Sequence, residues 1–199
     1  QNTDISSNYF NANCIKLASD STIVLAGTFN GSNIHFGFNQ LNNVGMTSAF
    51  LAKFNYYGDN NWIHTFGNSF DNEISDLEID HNGDIVCIGY TSDFQFTFAG
   101  QTFTNSNSAG FEMFLIAKYS STGNELWADV LNGGAPSLGI GVEIDDNNYI
   151  YTIGYFLWDT VFINSVPLGC YDHSRDILLI KYNSNGDIIW GERYGGEAA

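Results

Sequence analysis

The chain has 199 residues, 44% of them hydrophobic and 16% aromatic, which is enough for one domain of ordinary size with a real core and argues against disorder. Six Lys and Arg stand against 22 Asp and Glu, a formal net charge of −16, and a surface of that sign repels nucleic acid and anionic membranes. No run approaches the ~20 apolar residues of a membrane helix, so membrane insertion is not expected. Cys14, Cys87 and Cys170 have neither disulfide-framework nor metal-ligand spacing.

In chain order, the first landmark is Gly27, which follows an apolar run and precedes Phe36 and Leu41 by nine and fourteen residues. Phe50-Leu51-Ala52-Lys53-Phe54 comes next, with Gly58 and Trp62 behind it. The same text then returns. Strands are predicted over 74–80, 84–91, 94–98, 113–119 and 124–131, with Gly89, Phe98 and Phe103 in the earlier roles and Lys118, Gly123 and Trp127 in the later ones. A third copy carries Gly154, Ile163, Leu168, Lys181, Gly186 and Trp190. Lys53, Lys118 and Lys181 are 65 and 63 residues apart, and the tryptophans keep the same intervals. Repetition at a fixed period marks a solenoid, propeller or array.

Within each copy, Gly and Asn punctuate short apolar runs at Tyr57-Gly58-Asp59, His81-Asn82-Gly83-Asp84, Thr122-Gly123-Asn124 and Asn185-Gly186-Asp187, as hairpin turns require. No window has an amphipathic helical pattern. The fold class is therefore all-β, as three repeats of about 64 residues over 1–67, 68–133 and 134–199. Four strands in ~40–50 residues make a propeller blade, so each repeat reads as one blade plus an excursion between Gly89 and Lys118 or its equivalents. Trp62, Trp127 and Trp190 are expected at equivalent, largely buried positions, and the three lysines at blade seams.

The pattern Phe-Leu-x-x-Lys-Tyr, turn glycine, Trp, Gly-Gly, then Ile-x-x-Asp-x-x-Gly-x-Ile and a Gly-Tyr-Phe-like end resembles the bacterial β-propeller repeat called SBBP. The clearest copies are Ile116 to Gly134 with Ile144 to Phe156, and Leu179 to Gly196. The first repeat departs from it, with Lys16-Leu17-Ala18-Ser19 where Glu78-Ile79-Asp80-His81 and Glu143-Ile144-Asp145-Asp146 stand. The resemblance implies a scaffold in a secreted or cell-surface bacterial protein and does not imply an enzyme. Three blades are fewer than the four to eight of a closed propeller. The expectation is thus a larger ring, completed by further repeats of the same polypeptide or, second in order, by other copies of the chain.

Residues outside the repeat are the better functional candidates, because the scaffold does not need them. Trp158 and Asp159, with Tyr171, Asp172, His173 and Arg175 near in sequence, form a mixture suited to stacking on and hydrogen-bonding a glycan or peptide. The competing reading has Trp158 filling a local gap. Asp80, Asp84 and Asp145 are weak calcium candidates, but they sit in turns and lack the downstream glutamate of an EF-hand. No other cofactor is expected, and no nucleophile elbow or metal-ligand spacing is present. The leading functional expectation is a non-catalytic adhesion or recognition module; the alternatives are a propeller-type polysaccharide hydrolase or lyase, with close carboxylates in its funnel, and a ligand-free spacer.

Overall fold

A computed structural model describes residues 9–32, 34–37, 39–43, 45–105, 110–131, 133, 136–170 and 174–196. In the first unit, β1 (Tyr9–Leu17) and β2 (Ile23–Asn30) are followed by a short hairpin, β3 (Ile34–Phe36) and β4 (Asn39–Leu41), and then by β5 (Ser48–Phe54) and β6 (Asn60–Phe66). The second unit repeats this with β7 (Asn72–Ile79), β8 (Ile85–Thr91), the hairpin β9 (Gln95–Phe98) and β10 (Gln101–Thr104), β11 (Met113–Tyr119) and β12 (Glu125–Val130). The third has β13 (Ser137–Ile144), β14 (Ile150–Leu157), the hairpin β15 (Thr160–Ile163) and β16 (Val166–Gly169), β17 (Arg175–Tyr182) and β18 (Ile188–Tyr194). Each unit is a four-stranded antiparallel sheet, β1-β2-β5-β6, β7-β8-β11-β12 or β13-β14-β17-β18, with a separate two-stranded hairpin inserted between its second and third strands. The excursion expected after Gly89 is this hairpin.

Gly27, Gly89 and Gly154 recur for a steric reason. The first strand of every sheet carries a bulge, at Asn13, Ser75 and Ile140, and the landmark glycine pairs with the residue just before it. There the backbones come so close that a Cβ would lie 1.9 Å from the Asn11 carbonyl oxygen at Gly27, 1.9 Å from that of Glu73 at Gly89 and 2.2 Å from that of Leu138 at Gly154. Glycine is required by approach across the strand pair. The turn glycines serve a different need: Gly58, Gly83, Gly123 and Gly186 all have φ between 81° and 90°.

Packing is sequential. The first two sheets enclose a core in which Val24, Ala26 and Leu51 meet Ile74, Leu77, Cys87, Leu115 and Tyr119, with Phe98 and Phe103 of the β9–β10 hairpin wedged in from the side. The second and third sheets enclose another, in which Val86, Ile88, Phe114 and Ile116 meet Val142, Phe156, Leu178 and Tyr182, with Ile163 of the β15–β16 hairpin in the place of Phe98. The middle sheet is thus covered on both faces, which explains the buried, non-alternating pattern of β8 and β11. Thiols follow burial: desolvation, reinforced by Asp76, pushes Cys14 up to about 12, and desolvation pushes Cys87 higher still, so neither is a ready nucleophile.

Three contacts recur at each seam. Lys53 Nζ donates to the Ser121 carbonyl at 3.1 Å, and Lys118 Nζ reaches the Ser184 carbonyl at 3.4 Å. Trp62 lies over the Gly123 turn and is stacked near Tyr119, with ring centroids 6.5 Å apart. Trp127 lies over the Gly186 turn and is stacked near Tyr182 at the same separation, with its indole N–H donating to the Ser184 carbonyl at 3.2 Å. On the lysine's own sheet, Lys118 meets Asp80 at 2.7 Å, whereas Lys53 meets the more distant Asp20 at 3.7 Å, because Ala18 stands where Asp80 would be. The departure at Lys16 has a structural use: it ion-pairs with Glu78, its counterpart in the next sheet.

The tryptophans share one register, each paired across the hairpin with its lysine, yet their environments differ from the uniform burial expected. Trp62 and Trp127 are half-buried, and Trp190 is 37% exposed because, among the described residues, no sheet packs on that face of the third one. In urea denaturation at low protein concentration, Trp127→Ala should therefore cost about 3 kcal/mol and Trp190→Ala less than about 1 kcal/mol. Gly89→Ala, whose methyl has nowhere to go, should cost about 2–3 kcal/mol in the same measurement.

Candidate functional site

The end of β14 breaks the repeat. At the position four residues beyond the landmark glycine, the first unit has Gly31, with φ 117°, and the second has Asp93. Asp93 is buried and its carboxylate accepts the backbone N–H groups of Asn68, Ser69 and Phe70 at 2.6, 2.8 and 2.9 Å, so it ties the first sheet's exit loop to the second sheet. The third unit has Trp158 there, with φ 69° and 52% of its surface exposed. A bulky residue in the left-handed region costs on the order of 1–2 kcal/mol and is uncommon away from functional positions. Backbone bonds hold the conformation: Trp158 N–H donates to the Ser174 carbonyl at 3.4 Å, Asp159 N–H to that of Leu157 at 2.8 Å, and Cys170 N–H to that of Asp159 at 3.0 Å.

Arg175 opens β17 and pairs with Leu157, next to Trp158, so the structure brings both ends of the sequence-predicted group to one end of the third sheet. Its guanidinium lies 4.2 Å from the centroid of the Tyr155 ring, a cation–π contact that fixes a donor beside an aromatic. Tyr171, Asp172 and His173 lie outside the described residues. An exposed indole, an adjacent carboxylate and a stacked guanidinium suit the apolar face and hydroxyls of a sugar ring, or an aromatic-bearing peptide.

The calcium candidates have other partners in this structure. Asp80 takes the N–H groups of Asn82 and Asp84 on one oxygen, at 2.8 and 3.0 Å, and Lys118 on the other. Asp84 lies 3.5 Å from the same ammonium. Asp145 takes the N–H groups of Asn147 and Tyr149 and, on its second oxygen, the Tyr151 hydroxyl at 3.1 Å. These are turn-capping carboxylates. Among the described residues no three His, Cys, Asp or Glu side chains gather as a metal site.

A feature that sequence reasoning missed is the position two residues after each tryptophan, occupied by His64, Asp129 and Glu192, always titratable. His64 stacks on Tyr119 with centroids 5.1 Å apart and lines a cavity of about 270 Å³ with Asp93, Phe96 and Glu125. Asp129 lines one of about 620 Å³ between β12, the tip of the β15–β16 hairpin and the Gly186 turn, beside Phe162, Asn164 and Asp187. Burial pushes the Asp129 carboxyl up to about 6, and its charge in turn adds to the burial that raises the Tyr182 hydroxyl. The recurring acidic or basic residue at Trp plus two was the available signal.

Among the described residues, Glu73 is the other carboxyl that burial pushes up. It sits on β7 and Asp129 on β12, the opposite edge strands of one sheet, three strand spacings or roughly 14 Å apart. That is too far for the acid–base pair of a glycosidase, which needs about 5–9.5 Å.

No family model matches the chain. A relative is an uncharacterized WD repeat-containing protein of Acanthamoeba polyphaga mimivirus, 23% identical over an alignment 168 residues long that covers 77% of this chain and 12% of that protein. The chain thus spans about an eighth of the relative's length.

Asp129 supplies a pH test. Its folded-state value near 6 lies above its ordinary 3.8, so between about pH 4 and 6 the folded chain holds a proton the unfolded chain has lost. Its contribution to stability falls as pH rises through that window and stays low above it. Asp129→Asn should abolish this slope and be more stable at pH 7 by on the order of 3 kcal/mol, read from urea denaturation across pH.

Proposed function

We propose that the three sheets are consecutive blades of a β-propeller serving as a non-catalytic recognition module, for protein or glycan ligands, in a secreted or cell-surface bacterial protein. The observation that carries the architectural part is the repeated unit itself: a four-stranded antiparallel sheet with its inserted hairpin, packed face to face on the next copy. The first strands β1, β7 and β13 contact sequential neighbours, as the inner strands of blades do. The WD-repeat name of the mimiviral protein agrees with this reading, since WD repeats build propellers. The SBBP-like residues motivate the bacterial surface setting. In the complete ring, further sheets of this kind would stand beside the first and third.

Recognition, in this reading, centres on Trp158, Asp159 and Arg175, with Tyr171, Asp172 and His173 its further candidates by sequence. Loops at the ends of blades vary without disturbing the packed strands, and this one breaks the repeat with an exposed aromatic. The hydrolase or lyase alternative draws no support from the two carboxyls with raised values, which lie at opposite edges of a sheet. Lysines at the seams are structural.

A glycan and peptide array probed with the intact protein should identify ligands whose binding falls at least about tenfold in Trp158→Ala, with the melting temperature unchanged within a few degrees. Unaltered binding by that variant would overturn the assignment of this surface.

A further inference from the structure

The cavity of about 270 Å³ beside His64 lies inside the seam of the first two sheets, with its described walls at the end of β6, on the β9–β10 hairpin and on one face of β11. Phe66, Phe96, Phe98 and Tyr119 supply aromatic surface. Phe98 meets Tyr119 edge-on with ring centroids 5.0 Å apart, and Phe96 is braced by Phe103 at 4.9 Å. The hairpin tip is fastened to β12 by Ala99, whose N–H donates to Glu125 Oε2 at 2.7 Å. The seam itself does not require these residues. At the corresponding places of the second seam stand Leu131 for Phe66, Val161 for Phe96, Ile163 for Phe98 and Ile188 for Glu125. Only the tyrosine returns, as Tyr182.

Polar groups of the lining are left without partners. Tyr119 is 2% exposed, and its hydroxyl makes no hydrogen bond among the described residues. Burial, with lesser contributions from Cys87 and Glu125, raises that hydroxyl well above its ordinary value, so it stays a protonated donor. The His64 ring stacked on Tyr119 makes no hydrogen bond among the described residues either. Glu125 is exposed and engages the hairpin through Oε2, which leaves Oε1 available. The lining thus runs from an exposed carboxylate, across aromatic surface, to a buried hydroxyl. Asp93 already accepts three N–H groups, and among the described residues no Lys or Arg lines the cavity.

We propose that this cavity binds a small hydroxylated aromatic amine, with its ring against Phe96 and Phe98, its hydroxyl on Tyr119 and its ammonium on Glu125 Oε1. Each part of the ligand answers one property of the site. Ligand cavities usually span roughly 300–1,000 Å³, so one at the lower limit takes a single ring with a short tail. A carboxylate oxygen without a cation, in a chain of net charge −16, selects a positive group. Aromatic walls favour a stacked ring and add cation–π attraction. A buried hydroxyl without a partner is costly, and a ligand hydroxyl offsets that cost. A sugar fits less well, because Phe96, Phe98, Leu115 and Ala117 offer its hydroxyls no hydrogen bonds. The site is separate from the Trp158 surface and does not rest on it.

Tyramine titrated into the full chain by calorimetry should bind with a Kd below ~1 mM. Phenethylamine, which lacks the hydroxyl, and para-ethylphenol, which lacks the ammonium, should each bind at least about fivefold more weakly. Glu125→Gln should weaken tyramine binding at least about tenfold and leave para-ethylphenol unchanged. Tyr119→Phe should weaken tyramine about fivefold and leave phenethylamine unchanged. Trp158→Ala should bind tyramine as the unaltered chain does, which keeps this test distinct from that of the Trp158 surface. No saturable tyramine binding up to ~10 mM, or binding indifferent to both cavity variants in chains of unchanged circular dichroism, would overturn the site. Methyl glucoside binding in preference to tyramine, and lost in Glu125→Gln, would overturn the amine as its ligand.

Discussion

The structure depends on the seam between successive sheets. A lone four-stranded sheet of this sequence has two apolar faces and no means of covering both. Stacking solves this for the faces that have neighbours, and the apolar contact between sheets is the dominant favourable contribution. It is non-directional, however, and does not specify how one sheet sits on the next. The polar contacts supply that direction: Lys53 and Lys118 each reach a carbonyl in a turn of the following sheet, and Trp62 and Trp127 lie over the glycines of those turns. A buried ammonium must be met by acceptors, so only one placement of the neighbouring turn is tolerated. Lys118, held by Asp80 on its own sheet, shows the arrangement most fully.

The same constraint explains why repeated residues carry so little functional information. Lysine, tryptophan, turn glycine and bulge-facing glycine are all consumed by packing. What remains free to vary is the chain beyond the second strand, where one unit spends an aspartate on three backbone N–H groups and another displays a tryptophan to solvent in a strained conformation. The strain at Trp158 is borne by a framework of backbone hydrogen bonds and paired strands on either side.

A second kind of position lies between these extremes. His64, Asp129 and Glu192 occupy one place in the repeat but differ in chemistry, since each faces a different neighbour. Asp129 is enclosed by a hairpin tip and a turn of the third sheet and is desolvated; Glu192, on β18, is exposed, with no sheet enclosing it among the described residues. Identical topology therefore gives three separate electrostatic environments, decided by what packs on top.

Much of the fold was legible in the sequence because its signals are local. The strand over 113–119 is where the apolar run places it, the turn glycines have the positive φ that their motifs require, and the all-β repeat follows from spacing alone. The β10 strand over Gln101–Thr104 was not legible, since four residues with one buried side chain leave no period to read. Nor was the role of Gly27, Gly89 and Gly154, because the oxygen that excludes a side chain belongs to the opposite strand. For the site, sequence singled out Trp158 and Arg175 by their absence from the other repeats. Only the tertiary structure placed them side by side, showed Trp158 exposed, and separated Glu73 from Asp129 by the width of a sheet. By itself the sequence determined the unit and its period; the order of packing, and with it the difference between the covered Trp127 and the exposed Trp190, was decided in three dimensions, because burial is a property of neighbours and not of the residue.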